Sequence, residues 1–142
     1  MLDAINRGQK IVNYTGHGSV NVWRGNLLTA ADSSLFTNRD RLSLLVMMTC
    51  LNGYFHDAMH ESLGESLLKS ENGGAVAVWA SSGMTLPQEQ ALLNQELFRL
   101  VFSPNHRNLT LGEIVRHAKA TVKDPDIRST WILLGDPTMR LR

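Results

Sequence analysis

The chain has a single cysteine, Cys50. No internal disulfide is available to it, and the multiple thiolates of a zinc ribbon are missing as well. Excess charge of either sign is also lacking: Lys plus Arg number 14 against 13 for Asp plus Glu, a formal net charge of +1. That balance is too small to drive sequence-independent attachment to phosphates, so nucleic acid is excluded as an expected partner. Long apolar runs are absent too. Leu42–Met48 and Gly74–Ala80 are the longest, well short of the ~20 residues that cross a bilayer, and no membrane span is expected. Residues 1–8 lack the charged-then-apolar layout of a signal peptide. What is present is a chain of 142 residues with 43% hydrophobic composition, enough for one globular domain over residues 1–142. No internal repeat, linker or low-complexity tract interrupts it.

Three compact apolar segments read as buried strands: Lys10–Tyr14, Leu42–Thr49 and Ala75–Ala80. Each is apolar on both faces or nearly so, which suits a mostly parallel sheet covered by helices on both sides. The spacing predicts crossover helices over Thr29–Phe36 and Ala58–Ser70, the latter from Met59, Leu63, Leu67 and Leu68. Pro87 in a first turn, followed by Leu92, Leu93, Leu97 and Leu100, predicts a helix running to Phe102. Thr110 with Glu113 has capping-box spacing and opens a helix predicted to run to Val122. Asp124-Pro125 breaks the chain, and Gly135-Asp136-Pro137 turns it before a short predicted strand, Met139–Leu141. The whole is an α/β fold, in which ligands bind at the carboxyl ends of the strands.

Two reactive residues fall at such ends. The first strand leads into Thr15-Gly16-His17-Gly18-Ser19, and the second into Met48-Thr49-Cys50-Leu51-Asn52-Gly53. A histidine between two glycines is open to approach from either side. A cysteine at a strand end, with a helix beginning soon after, is expected near the positive end of that helix's dipole, which favours thiolate. If the two strands are neighbours, one right-handed crossover brings His17 and Cys50 to the same rim as base and nucleophile. The plainer alternative is that Cys50 is a small buried apolar residue and Gly-His-Gly only a turn.

Several segments together resemble the gingipain-type cysteine peptidases, peptidase family C25 of the caspase-like clan. They are Asn13–Ser19, Trp23, Met48–Phe55, Gly73–Ser82 and Leu134–Pro137, and they span nearly the whole chain. The resemblance implies a caspase-like three-layer sandwich and a cysteine endopeptidase. In it His17 is general base and acid, Cys50 is nucleophile, and the backbone N–H groups of Gly18 and Cys50 form the oxyanion hole. It also implies that Thr15, Met48, Ala80, Ser81 and Ser82 line the substrate pocket, with no cofactor and no metal. Some family members act as transpeptidases of a bacterial secretion system through the same thioester, which is the alternative activity. Relative to the family, further βα units before the histidine strand are missing. The chain is therefore expected to be the C-terminal part of a larger catalytic domain. Its partners are expected to be a peptide or protein substrate and either that missing part or a second copy of the chain, joined along an open edge at Lys10–Tyr14. If the missing part is needed, the fragment alone is inactive. Family habit also implies a secreted or cell-surface location.

Other signals carry less. His56 and His60, four apart on an expected helix, imitate a zinc-peptidase motif, but Asp57 stands where that motif requires Glu. Gly16-His17-Gly18 lacks the third glycine of a dinucleotide fingerprint, and Ser81-Ser82-Gly83 lacks a nucleophile elbow and reads as pocket wall. Trp79 reads as core, whereas Trp23, in the loop after the histidine, is a candidate to cover the cleft.

Overall fold

The computed structural model describes residues 1–141. A four-stranded sheet runs through its middle in the order β1 (Ile11–Thr15), β4 (Ser43–Met48), β5 (Ala75–Ser81), β6 (Trp131–Gly135). The first three strands are mutually parallel and β6 is antiparallel to β5. A two-stranded hairpin, β2 (Gly18–Ser19) with β3 (Val22–Trp23), projects just beyond β1.

β4 is buried along its whole length because both faces are covered. Alternation along the strand sends Leu44, Val46 and Met48 to one side and Leu45 and Met47 to the other. On the first side they meet α3 (Pro87–Phe102), α4 (Leu111–Ala120) and α5 (Pro125–Thr130), with Trp79 and Trp131 in contact at a ring separation of 5.3 Å. On the second they meet α1 (Leu2–Asn6) through Ile5 and α2 (Leu63–Leu68) through Leu63 and Leu67, with Trp23, Leu28 and Phe36 alongside. Among the described residues no strand pairs with the outer side of β1, so that edge of the sheet is open there, as expected.

Two expectations need correction. The helix over Ala58–Ser70 shrinks to Leu63–Leu68, because Ser62 caps it: its hydroxyl accepts the Glu65 N–H while the Glu65 carboxylate accepts the Ser62 N–H at 2.9 Å. Residues before Ser62 are turns, and Met59 points into solvent, so its fit to the 3.6-residue period was accidental. The strand expected at Met139–Leu141 does not form. Its segment instead runs past the start of α4, where Met139 and Pro137 carbonyls accept the Leu111 and Gly112 N–H groups at 2.8 and 2.9 Å. The last strand is Trp131–Gly135, which the break at Asp124-Pro125 concealed. Asp124 is itself a helix cap, accepting from Asp126 and Ile127 N–H.

The cap of α4 has a pH consequence. The Thr110 backbone N–H donates to the Glu113 carboxylate at 2.8 Å and holds its pKa below the ordinary value. Asp136 is lowered in the same way, first by the Thr138 hydroxyl and then by its N–H. A folded-state pKa below the unfolded one contributes stability above the unfolded value and loses it as pH falls through the folded value. Tm is therefore expected to drop between about pH 5 and pH 3, and Glu113→Gln to flatten that drop. An unchanged slope in the variant would contradict this.

Candidate active site

β1 and β4 pair in parallel, with Thr15 opposite Met48 as the last matched residues. His17 and Cys50 each stand two residues beyond that pair. Strands in a sheet lie about 4.8 Å apart, so the register delivers both residues to one rim at matching positions. The ladder continues one step further, with the Gly16 N–H donating to the Met48 carbonyl at 3.1 Å.

On the histidine side the turn is held from two directions. The His17 carbonyl accepts the Tyr14 hydroxyl at 3.2 Å and the Arg24 N–H at 3.0 Å, and the His17 side of the turn is left exposed. Tyr14 stacks on Trp23 at a ring separation of 4.1 Å. Trp23 is thereby buried in the core at 1% exposure, so it braces the turn from beneath and does not cover the cleft.

On the cysteine side, Cys50 is half-buried with Sγ 3.6 Å from the Thr85 carbonyl. The loop after β5 is stitched to the same turn, since Leu51 N–H donates to the Gly83 carbonyl at 3.2 Å and Gly53 N–H to Ser81 at 2.9 Å. Leu51 has a φ of +63°, a left-handed conformation that a branched side chain takes only under constraint. No helix begins soon after Cys50. The next, α2, starts thirteen residues on, and its first N–H groups donate to the Val20 and Asn52 carbonyls. The expected dipole effect on the thiol thus has no helix to supply it.

The two turns touch through Gly18. A Cβ placed there would lie 2.7 Å from Asn52 Oδ1 and 3.0 Å from Thr49 Cβ, so only glycine permits this approach. Thr49 and Asn52 are fully buried polar residues on either side of Cys50 and its neighbour Leu51. Sequence reasoning passed over both. The available signal was two polar residues next to an apolar strand end, which burial later makes costly unless they are bonded.

The residues expected to line a pocket are distributed unevenly. Thr15 is exposed at the rim. Met48, Ala80 and Ser81 have no solvent-exposed surface: Met48 and Ala80 pack on opposite faces of the sheet, and the Ser81 hydroxyl is bonded to Gly83. Ser82 is buried and donates to the Thr130 carbonyl at 2.9 Å. Those four side chains are withdrawn beneath the rim, whereas Met84 and Leu86, on either side of the Thr85 whose carbonyl Cys50 Sγ approaches, are exposed. His56 and His60 lie in turns, with Asp57 accepting the N–H groups of Met59 and His60, so the expected shared helical face does not exist. A groove of about 600 Å³, lined by Lys10, Leu42, Val76, Val101, Phe102 and Arg140, lies at the amino ends of the strands, away from His17 and Cys50.

A mostly parallel α/β sheet with a cysteine and a histidine at the carboxyl ends of adjacent strands is an arrangement found in cysteine peptidases. The sequence profile described as Peptidase family C25 matches residues 1–142, and the chain belongs to that family. Gingipain R2 of Porphyromonas gingivalis is 27% identical over the whole of this chain, which covers 21% of that relative. Lys-gingipain W83 of the same organism is 33% identical over 78 residues, 55% of this chain and 4% of the relative. The crystal structure of the Arg specific cysteine proteinase gingipain R (RGPB) superposes with a TM-score of 0.88 at 27% identity, over 99% of this chain and 35% of that one. The chain thus spans about a fifth of the length of Gingipain R2 and about a third of the solved gingipain R chain. Among the described residues no helix is long and apolar enough to cross a membrane.

Proposed function

We propose that this chain carries the nucleophile and base of a cysteine endopeptidase, Cys50 and His17. The observation that supports the reading most is the register: the two residues sit at the same offset beyond the Thr15–Met48 pair on adjacent parallel strands. Membership of peptidase family C25 supports the same reading.

In the proposed reaction, the Cys50 thiolate attacks the carbonyl carbon of a peptide bond, and the negative charge moves to the carbonyl oxygen. The N–H groups of Gly18 and Cys50 stabilise that oxyanion; one such donor is typically worth about a hundredfold in turnover. His17, as imidazolium, gives its proton to the departing amine as the C–N bond breaks, leaving a thioester on Cys50. His17 then takes a proton from water, which attacks the thioester; the acid is released and the thiolate restored. A substrate contact is proposed for Thr15, the one residue of the expected pocket lining that is exposed at the rim. The bound partner is a peptide or protein, met outside the cell or at its surface. The open edge of β1 is proposed as the seam for additional strands of the kind that the longer relatives have room for.

Because Cys50 is the only thiol, alkylation by iodoacetamide reports one site. An ordinary thiol titrating near 8.5 keeps about 1% of its maximal rate at pH 6.5. The native chain is expected to keep at least about ten times that fraction, and His17→Ala to fall back to it. Equal rates in the two proteins would overturn the reading.

A further inference from the structure

We infer that Asn52, oriented by Thr49, is a positioning residue that fixes the turn bearing His17 against the turn bearing Cys50. The inference rests on the dyad reading above and adds to it the device that sets the distance between its two members.

Asn52 is fully buried and makes contacts to both sides. Its Nδ2 donates to the Ser19 carbonyl and, at 3.4 Å, to the Val22 carbonyl, both in the hairpin that follows His17. Its Oδ1 accepts the hydroxyl of Thr49, the residue before Cys50. The amide has one possible orientation, because two carbonyls accept only from the nitrogen and the hydroxyl is left to donate to the oxygen. Its backbone carbonyl accepts the Gly64 N–H at 2.9 Å, which anchors Asn52 itself to the start of α2.

The hairpin is bonded directly to the His17 turn. The Arg24 N–H and Tyr14 hydroxyl hold the His17 carbonyl, and Trp23 at the hairpin's end stacks on Tyr14. Gly18 rests against the Asn52 amide oxygen and the Thr49 side chain, with no room for a methyl group between them. The positive φ of Leu51 reverses the chain directly after Cys50 and so brings Asn52 back under the rim. Strain of this kind persists only where surrounding contacts over-determine it, and the Asn52 bonds are such contacts. One side chain therefore ties the segment after the base to the segment flanking the nucleophile.

A purely structural role would lower stability and leave the thiol's dependence on His17 alone. Thr49→Val keeps the volume and removes the donor that orients the amide, Thr49→Ser keeps the donor, and Asn52→Ala removes the tie. The readout is the alkylation rate of Cys50 at pH 6.5 divided by its rate at pH 10, in native chain and variants, with circular dichroism to establish folding. Thr49→Val and Asn52→Ala are expected to lower that ratio at least about fivefold towards the His17→Ala value, while Thr49→Ser stays within about twofold of native. In a His17→Ala background Thr49→Val is expected to change nothing further, since its effect passes through the histidine. A folded Thr49→Val or Asn52→Ala with the native ratio, or an equal loss with and without His17, would overturn the inference and leave the dyad standing. A native chain that behaves like His17→Ala would remove the dyad and this inference together. Should Asn52→Ala fail to fold, Thr49→Val against Thr49→Ser decides.

Discussion

Cys50→Ala is expected to abolish peptide hydrolysis, and His17→Ala to lower kcat/KM by at least about three orders of magnitude, with both proteins still folded. The size follows from the division of labour in the proposed reaction. Without the sulfur no thioester forms, and without the imidazole neither the leaving amine nor the incoming water has a proton partner. Residues that act as one unit are strongly non-additive, so the double variant is expected to be scarcely worse than Cys50→Ala. The fold should tolerate both changes. His17 is exposed, and Cys50 is half-buried with only a weak thiol bond to the Thr85 carbonyl. Substitutions away from core and caps usually stay within about 0.5 kcal/mol. The check is turnover of a quenched fluorogenic peptide pool alongside a thermal melt. Native-level cleavage by Cys50→Ala would sink the proposed mechanism outright. An equal loss of activity and of Tm in both variants would mean that they had unfolded the chain and not disarmed it.

The largest effect on stability is expected far from the rim, at Gly74→Ala. Gly74 enters β5 with a φ of +91°, and a Cβ there would lie 2.1 Å from the Leu67 carbonyl oxygen, which belongs to the backbone of α2 and cannot swing aside. Asn38 holds the glycine in place, accepting its N–H at 2.8 Å and donating to its carbonyl at 3.0 Å. The left-handed backbone costs a non-glycine residue roughly 1–2 kcal/mol, and forcing extra volume into a packed site typically adds about 1–3 kcal/mol. Together they make roughly 2–5 kcal/mol against a domain stability of about 5–15 kcal/mol. The loss should appear as a shift in the urea midpoint with an unchanged slope. A shift equivalent to less than about 1 kcal/mol would mean that α2 and β5 can separate more easily than their packing suggests.

Much of the architecture was legible because burial leaves a compositional trace. β4 is covered on both faces, so its apolar run needs no alternation, and Leu42–Thr49 read as a strand within a residue or two of its ends. The helix from Pro87 and the capping box at Thr110 were legible for local reasons, a ring that fits only a first turn and a carboxylate three residues from a hydroxyl. β6 was not, since Trp131–Gly135 follows directly on α5 and its pairing partner lies about fifty residues earlier. Nor was the shortening of α2, because the period of Met59, Leu63 and Leu67 says nothing about whether Met59 finds a partner.

The candidate site divides in the same way. His17 and Cys50 are chemical identities that can be read in order along the chain, each at the end of an apolar segment. Their placement on one rim depends on β1 and β4 being neighbours in register, which is a pairing between residues some thirty positions apart. The roles of Thr49, Asn52 and Gly18 depend on the same long-range contact: until the two turns meet, a buried amide has nothing to hold and a glycine nothing to make room for. Sequence alone determined which groups are available for chemistry and which segments must be buried, because those are properties of single residues and of short-range pattern. Tertiary structure decided which groups face one another and which side chains retreat beneath the rim. Distance between segments is set by packing across the sheet, and no local pattern encodes it.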